Sequence, residues 1–173
     1  MIQIYQSQEL GRELAKIIDS AEHSIRVSMY QLSPDATTST HIMKALWQAL
    51  RAAPARGVKC SAILGASLMA APGTMSADRS RQALEDVGWL AICDRSARVM
   101  HAKTAVFDAG RALVGSHNWT GAALSANTET SVLIHDEAVA VRLAAQHDEK
   151  IDALLREDDA ALAAYRAWSA RLI

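Results

Sequence analysis

The sequence predicts an α/β fold: a single domain with a mixed, mostly parallel β-sheet, helices on both faces, and extra helices at the C-terminus. Three observations predict it. Over the first 64 residues the apolar spacing switches between strand and helix periods in the order β, α, β, α, β. The length of 173 residues suits one sizeable core. No linker, internal repeat or low-complexity tract divides the chain, so residues 1–173 form one unit, with 136–173 as its C-terminal helical part.

The elements follow in order. Ile2–Tyr5 is short and β-prone. From Ser7 to Ala21, Leu10, Leu14, Ile17, Ile18 and Ala21 recur at helical spacing, with Ser7 as N-cap. Ser24–Tyr30 alternates Ile25, Val27 and Met29 against Arg26, Ser28 and Tyr30, a strand that Ser33-Pro34-Asp35 breaks. Thr38–Ala53 is a second helix, with Ile42, Met43, Leu46, Trp47 and Leu50 on one face and Pro54 and Gly57 ending it. Val58–Leu64 is a strand. Gly65–Ala77 reads as a loop whose Leu68 and Met69 serve either as a lid or as packing on their own domain. Asp78–Val87 is a short helix stopped by Gly88, and Trp89–Cys93 a buried strand. Lys103–Asp108 and Arg111–Gly115 form a hairpin about Ala109-Gly110, and Glu129–His135 is the last strand. Asp136 caps a helix to about Leu155, and Asp158 or Asp159 a final one with Leu162, Tyr165, Trp168 and Leu172.

Composition excludes some classes. Charged residues are 21% and net charge is −1, so any nucleic-acid contact must come from a local basic cleft, not from the protein as a whole. No run approaches the ~18 apolar residues of a membrane span. The N-terminus lacks the charged and apolar regions of a secretory signal, so a cytoplasmic location is expected. Cys60 and Cys93 each sit in an apolar run and read as buried free thiols.

The chemistry concentrates between His101 and Glu129. On a strand, residues two apart project together, so His101 and Lys103 share a direction, as do Asn127 and Glu129. An ammonium beside an imidazole repels a metal, and no metal or other cofactor is expected. The pair suits an anion under attack, the Lys neutralising charge and the His attacking or moving a proton. Gly115-Ser116-His117-Asn118 follows a strand and offers close backbone approach, a hydroxyl and a carboxamide, donors suited to a phosphate. Glu129 is positioned in sequence to accept from the far nitrogen of His101 and orient it. Asp108 has the opposite parity to Lys103 and lies at the hairpin, which suits holding a turn.

The ordered set is specific: H-x-K-x4-D, then G-S-x-N after a second apolar strand, then N-x-E leading into a third. It resembles the HKD motif of the phospholipase D superfamily. SIRVSMYQLS resembles the family's early core strand, and Thr38–Ala53 followed by ARGVKCSAIL its helix–RGV–strand unit. The resemblance covers most of Ser24–Asp136. It implies that His101 is a nucleophile forming a phosphohistidine without metal. It further implies that Lys103, Ser116 and Asn118 hold the phosphate, that Glu129 orients His101, and that Asp108 is structural. Family enzymes draw a general acid from a second motif, and this chain has a single H-x-K. The resemblance to short single-motif members implies a homodimer sharing one site, which an isologous two-fold interface achieves.

Other residues carry weaker signals. His117 abuts the donors with opposite parity and reads as a support or rim residue; His41 lies at a helix start and His135 at a strand end. His23 and His147 look like surface residues. Arg95 and Arg98, with Arg79 and Arg81, are candidates for a cleft rim. Trp119 is a candidate rim residue for stacking, although an aromatic bracing the turn fits its place better. Tyr30-Gln31 ends a core strand at the cleft edge, open to substrate contact or packing. The expected function is a nuclease cleaving DNA or RNA. A lipid phosphodiesterase with an apolar rim at Leu68–Met75, or a non-catalytic binding module, are the alternatives.

Overall fold

A computed structural model describes residues 1–33, 40–66, 76–157 and 159–170. The strands are β1 (Ile2–Gln6), β2 (Ser24–Met29), β3 (Lys59–Gly65), β4 (Leu90–Asp94), β5 (Lys103–Phe107), β6 (Arg111–Gly115) and β7 (Thr130–His135). The helices are α1 (Gln8–Asp19), α2 (His41–Ala55), α3 (Ser76–Glu85), α4 (Gly121–Ser125), α5 (Glu137–Glu157) and α6 (Asp159–Ser169). All seven strands join one mixed sheet in the order β1-β7-β6-β5-β2-β3-β4. Leu68 and Met69 with either of their two readings, the apolar rim that the lipid alternative would need at 68–75, the break at Pro34-Asp35, the start of the second helix at Thr38, and Asp158 and Leu172 lie outside the described residues.

The sheet is mixed, as the sequence predicts, but it is not mostly parallel. Only β2–β3 and β3–β4 are parallel; β1–β7, β7–β6, β6–β5 and β5–β2 are antiparallel. The β-α-β order governs only strands that neighbour one another across a helical crossover. β1 leaves that pattern: it sits at the far edge, paired with β7, and not beside β2. The β5–β6 connection is too short for a crossover and forces an antiparallel return.

Helices α1 to α4 cover one face and α5 and α6 the other. On α1, Leu10, Leu14, Ile17 and Ile18 are buried at one-stripe spacing. Each such side chain contributes ~1.5–3 kcal/mol of burial. The second helix runs on to Ala55 with Pro54 in its last turn, and Gly57 at φ +84 then turns the chain into β3. On the other face α5 starts at Asp136, whose carboxylate accepts the Val139 N–H at 3.0 Å. It then runs across Val106 and Ala112 to Ile63 and Ile92.

The hairpin turn differs by one residue from its predicted place. Asp108 and Ala109 both have φ +53, and the Gly110 N–H returns to Phe107. The left-handed pair is thus Asp108-Ala109, an arrangement Asp tolerates through local hydrogen bonding. Cys60 is buried and Cys93 half-buried; both are free. Burial pushes both thiols up to about 12, which keeps them protonated and inert.

Candidate active site

The carboxyl ends of β2 and β3, the start of β5, the end of β6 and the start of β7 meet at one end of the sheet. That is where open α/β sheets form crevices. His101 precedes β5 and is exposed. The Lys103 Nζ lies 3.3 Å from His101 Nδ1 and donates to the His101 carbonyl at 3.0 Å. The Tyr30 ring sits 4.4 Å from the imidazole, centroid to centroid, and 5.0 Å from Lys103 Nζ. Partial burial pulls the Lys103 ammonium below its ordinary value, and the charge of Glu129 opposes that pull.

On the facing side, β6 ends at Gly115, which lies against β7. A Cβ there would fall 2.1 Å from Ser131 Oγ and 2.4 Å from Ser131 Cα. Only glycine fits that approach, and it delivers Ser116 and Asn118 into the crevice. Asn118 Oδ1 accepts the Gln31 N–H at 3.2 Å, and its amide hydrogens have no partner among the described residues. Ser116 Oγ donates to Glu129 Oε2 and accepts the Thr130 N–H at 3.0 Å. Asn127 Nδ2 donates to Glu129 Oε1 at 3.2 Å. The Ser116 bond leads the effects that hold the Glu129 carboxyl below its usual range.

This pairing corrects one expectation. Within the chain Glu129 orients Ser116 and makes no hydrogen bond to His101 among the described residues. Sequence parity relates His101 to Lys103 but carries no information on the distance between β5 and β7, which β6 separates.

Asp108 lies away from the crevice. Its carboxylate accepts the backbone N–H groups of Glu22 at 2.9 Å, His23 at 2.7 Å and Ser24 at 2.9 Å. Burial works against its ionisation, yet these bonds and nearby Arg111 together hold its carboxyl below the usual range.

Trp119 is fully buried, so it is not a rim residue. Its backbone N–H donates to the Gln31 carbonyl at 3.0 Å and its own carbonyl accepts from Ser33 at 2.9 Å. Those bonds tie the Asn118 loop to the strand end beside it. Arg95 pairs with Asp78, whereas Arg98 is exposed. Arg81 pairs with Glu85 and Arg79 is exposed.

His117 is a support residue. It is buried, its Nε2 donates to the Ser7 carbonyl at 2.7 Å, and its Nδ1 meets Ser131 Oγ at 2.8 Å. His147 is not on the surface: it is 4% exposed, bonded to Ser28 Oγ at 3.0 Å and Ser61 Oγ at 2.9 Å. On α5, Ala140, Ala144, His147, Ile151 and Leu154 are all buried, a stripe in which the histidine occupies a core position. Gln31, whose backbone positions Asn118, and Ser131, which accommodates Gly115, have no signal of chemistry in their side chains. Among the described residues, no three His, Cys, Asp or Glu side chains converge as metal ligands, and no helix is long and apolar enough to cross a membrane.

Comparison with known proteins agrees with this architecture. The family described as cardiolipin synthase, PLD-like domain, matches residues 14–155. A search of curated proteins gives no match. Among solved structures, the chain is similar to Nuc from Salmonella typhimurium, a phospholipase D family member, with TM-score 0.69 and 23% identity over 86% of this chain and 92% of that one. It is similar to NucT from Helicobacter pylori, with TM-score 0.68 and 16% identity over 88% of this chain and 96% of that one. A third likeness, TM-score 0.54 and 13% identity, covers 87% of this chain and 52% of TrmBL2, an archaeal chromatin protein with a novel mode of DNA binding. With the H-x-K, G-S-x-N and N-x-E segments gathered at one end of this sheet and the motif's Asp108 bracing the other, the chain belongs to the phospholipase D superfamily.

Proposed function

We propose that the protein is a metal-independent phosphodiesterase acting on nucleic acid, with His101 as nucleophile and two copies sharing one site. The observation that carries this reading is the His101–Lys103 contact at 3.3 Å, at the same sheet end as Asn118, with the charge of Glu129 reaching Lys103. A phosphate in that space meets a cation, a carboxamide donor and a nucleophilic ring.

A ring nitrogen of His101 attacks phosphorus and forms the P–N bond as the P–O bond to the leaving alcohol breaks. The departing alkoxide takes a proton from a general acid. Water then attacks phosphorus, the P–N bond breaks, and the acid, now a base, takes the water's proton. Lys103 and the Asn118 amide hold the phosphoryl oxygens throughout, and Ser116 and Glu129 hold that side of the crevice in place.

The acid comes from outside the set just described. His117 and His147 have both ring nitrogens engaged, and His23 and His135 lie at the opposite end of the sheet, which leaves His41, exposed at the start of α2, as the within-chain alternative that His41→Ala tests. An exposed His101 from a second copy supplies the missing group, worth roughly 10²–10⁴-fold in rate. Nucleic acid is favoured by exposed Arg98, which follows β4 at the crevice end, and by the likeness to a DNA-binding chromatin protein.

The experiment is cleavage of DNA and RNA in EDTA, with His101→Ala beside wild type. Sedimentation velocity and acid-labile 32P labelling of His101 run alongside. Turnover confined to lipid vesicles replaces nucleic acid by a lipid phosphodiester. Full activity in a monomer removes the shared site.

A further inference from the structure

We propose that Tyr30 is a positioning residue that holds His101 and Lys103 in one arrangement through its ring. Its kinetic test rests on the phosphodiesterase reading above; its spectroscopic test does not.

His101 is exposed and precedes β5, so no ladder bond of its own fixes its side chain. An exposed imidazole on two free torsions samples several rotamers. Tyr30 follows the end of β2, and its backbone N–H donates to the Ala102 carbonyl at 2.8 Å, between the two residues it would control. From that anchor its ring lies 4.4 Å from the His101 ring at an interplanar angle of 45° and 5.0 Å from Lys103 Nζ. One aromatic ring therefore touches both members of the pair, as a ring–ring contact and as a cation–π contact.

A second observation comes from β3. A Cβ on Gly65 would fall 2.8 Å from Tyr30 Cδ2, 2.9 Å from the Tyr30 carbonyl and 2.8 Å from the Met100 carbonyl. Gly65 thus admits the tyrosine ring and the backbone just before His101 into the same space. The ring is held between the end of β3 and the His–Lys pair. The Tyr30 hydroxyl has no hydrogen-bond partner among the described residues, so the contacts use the ring and not the phenol.

This predicts a separation between ring and hydroxyl. Tyr30→Phe keeps kcat and KM within about threefold of wild type. Tyr30→Leu lowers kcat by ~10–10²-fold, the scale of a nucleophile misplaced by about an ångström, and leaves KM within about threefold. Gly65→Ala displaces the ring together with the Tyr30 and Met100 carbonyls and lowers kcat in the same direction.

The second readout is the His101 Cε1–H resonance, assigned by its loss in His101→Gln. Wild type and Tyr30→Phe show it displaced by the aromatic ring; in Tyr30→Leu it returns toward the free-imidazole position, and in Gly65→Ala it moves. A Tyr30→Phe variant as impaired as Tyr30→Leu overturns the proposal, because the hydroxyl then does the work. So does an unmoved His101 resonance in Tyr30→Leu. If wild type cleaves no phosphodiester, the function proposed above fails and the resonance alone decides the role of Tyr30. If Tyr30→Leu does not fold, Tyr30→Met takes its place beside Tyr30→Phe, with the same expected and overturning results.

Discussion

Asn118 is fixed by the backbone of Gln31: its Oδ1 accepts the Gln31 N–H at 3.2 Å, and among the described residues its amide hydrogens are left for a ligand. Asn118→Asp keeps the acceptor, loses the donors and places a negative charge where a phosphate is expected. Asn118→Asp should therefore lose ~10²–10³-fold in kcat/KM on a phosphodiester, more than Asn118→Ala. Stability should order the other way, with Asn118→Ala losing about 1 kcal/mol from the unpaired Gln31 N–H. Kinetics and urea unfolding of the two variants check this, and equal activity losses would remove the orienting role.

Asp108 predicts the opposite pattern. It ties the loop before β2 to the hairpin through three backbone N–H groups and touches none of the crevice residues. Asp108→Ala should destabilise by ~2 kcal/mol or more, since bonds to a charged acceptor are the stronger kind. Activity per folded molecule should stay within a few-fold. Because the folded carboxyl titrates below its unfolded value, this contribution is present above pH ~4 and is lost as the pH falls through the folded value. Thermal unfolding and turnover per folded molecule separate the two effects; a soluble, fully folded Asp108→Ala lacking activity would contradict it.

Much of this was legible in the sequence, for identifiable reasons. Strand and helix periods reported local structure, and the motif spacings singled out His101, Lys103, Ser116, Asn118 and Glu129, which the strand pairing brings to one sheet end. What the sequence did not disclose was long-range: β1 crossing to β7, Glu129 engaging Ser116 across the β6–β7 ladder, and Gln31 meeting Asn118 from 87 residues away. His147 was misread because a polar residue in an amphipathic helix suggests solvent, whereas Ser28 and Ser61 supply its partners from two strands distant in sequence. Gly115 read as a phosphate-approach glycine; the structure adds that it makes room for Ser131.

Glu129 and Lys103 give a pH test. The carboxylate of Glu129 raises the Lys103 ammonium against the lowering effect of burial. Glu129→Gln removes the raising influence and leaves the burial, so Lys103 loses its proton at lower pH. The alkaline limb of the pH–rate profile should move toward acid, with Lys103→Arg showing no such limb over the same range. A Glu129→Gln profile superimposable on wild type at high pH would mean that Lys103 does not govern that limb.

His147 makes the clearest prediction for stability. Burial between α5 and the sheet pushes its imidazole down to about 4, with Asp148 raising it and Arg26 lowering it by smaller amounts. In the unfolded chain the ring takes up a proton near pH 6.5. Between those two values the unfolded state binds the extra proton, so acidification favours unfolding. Stability is therefore full above about pH 6.5 and declines by ~3 kcal/mol as the pH approaches 4, an upper figure set by the size of the shift. His147→Gln can keep bonds to Ser28 and Ser61 but does not titrate. Its urea midpoint should be lower than wild type at pH 7.5 because the side chain fits less well. It should fall less steeply between pH 7 and pH 4.5, so that the two curves converge. Parallel curves across that window would show that the buried imidazole exchanges its proton as freely in the fold as outside it.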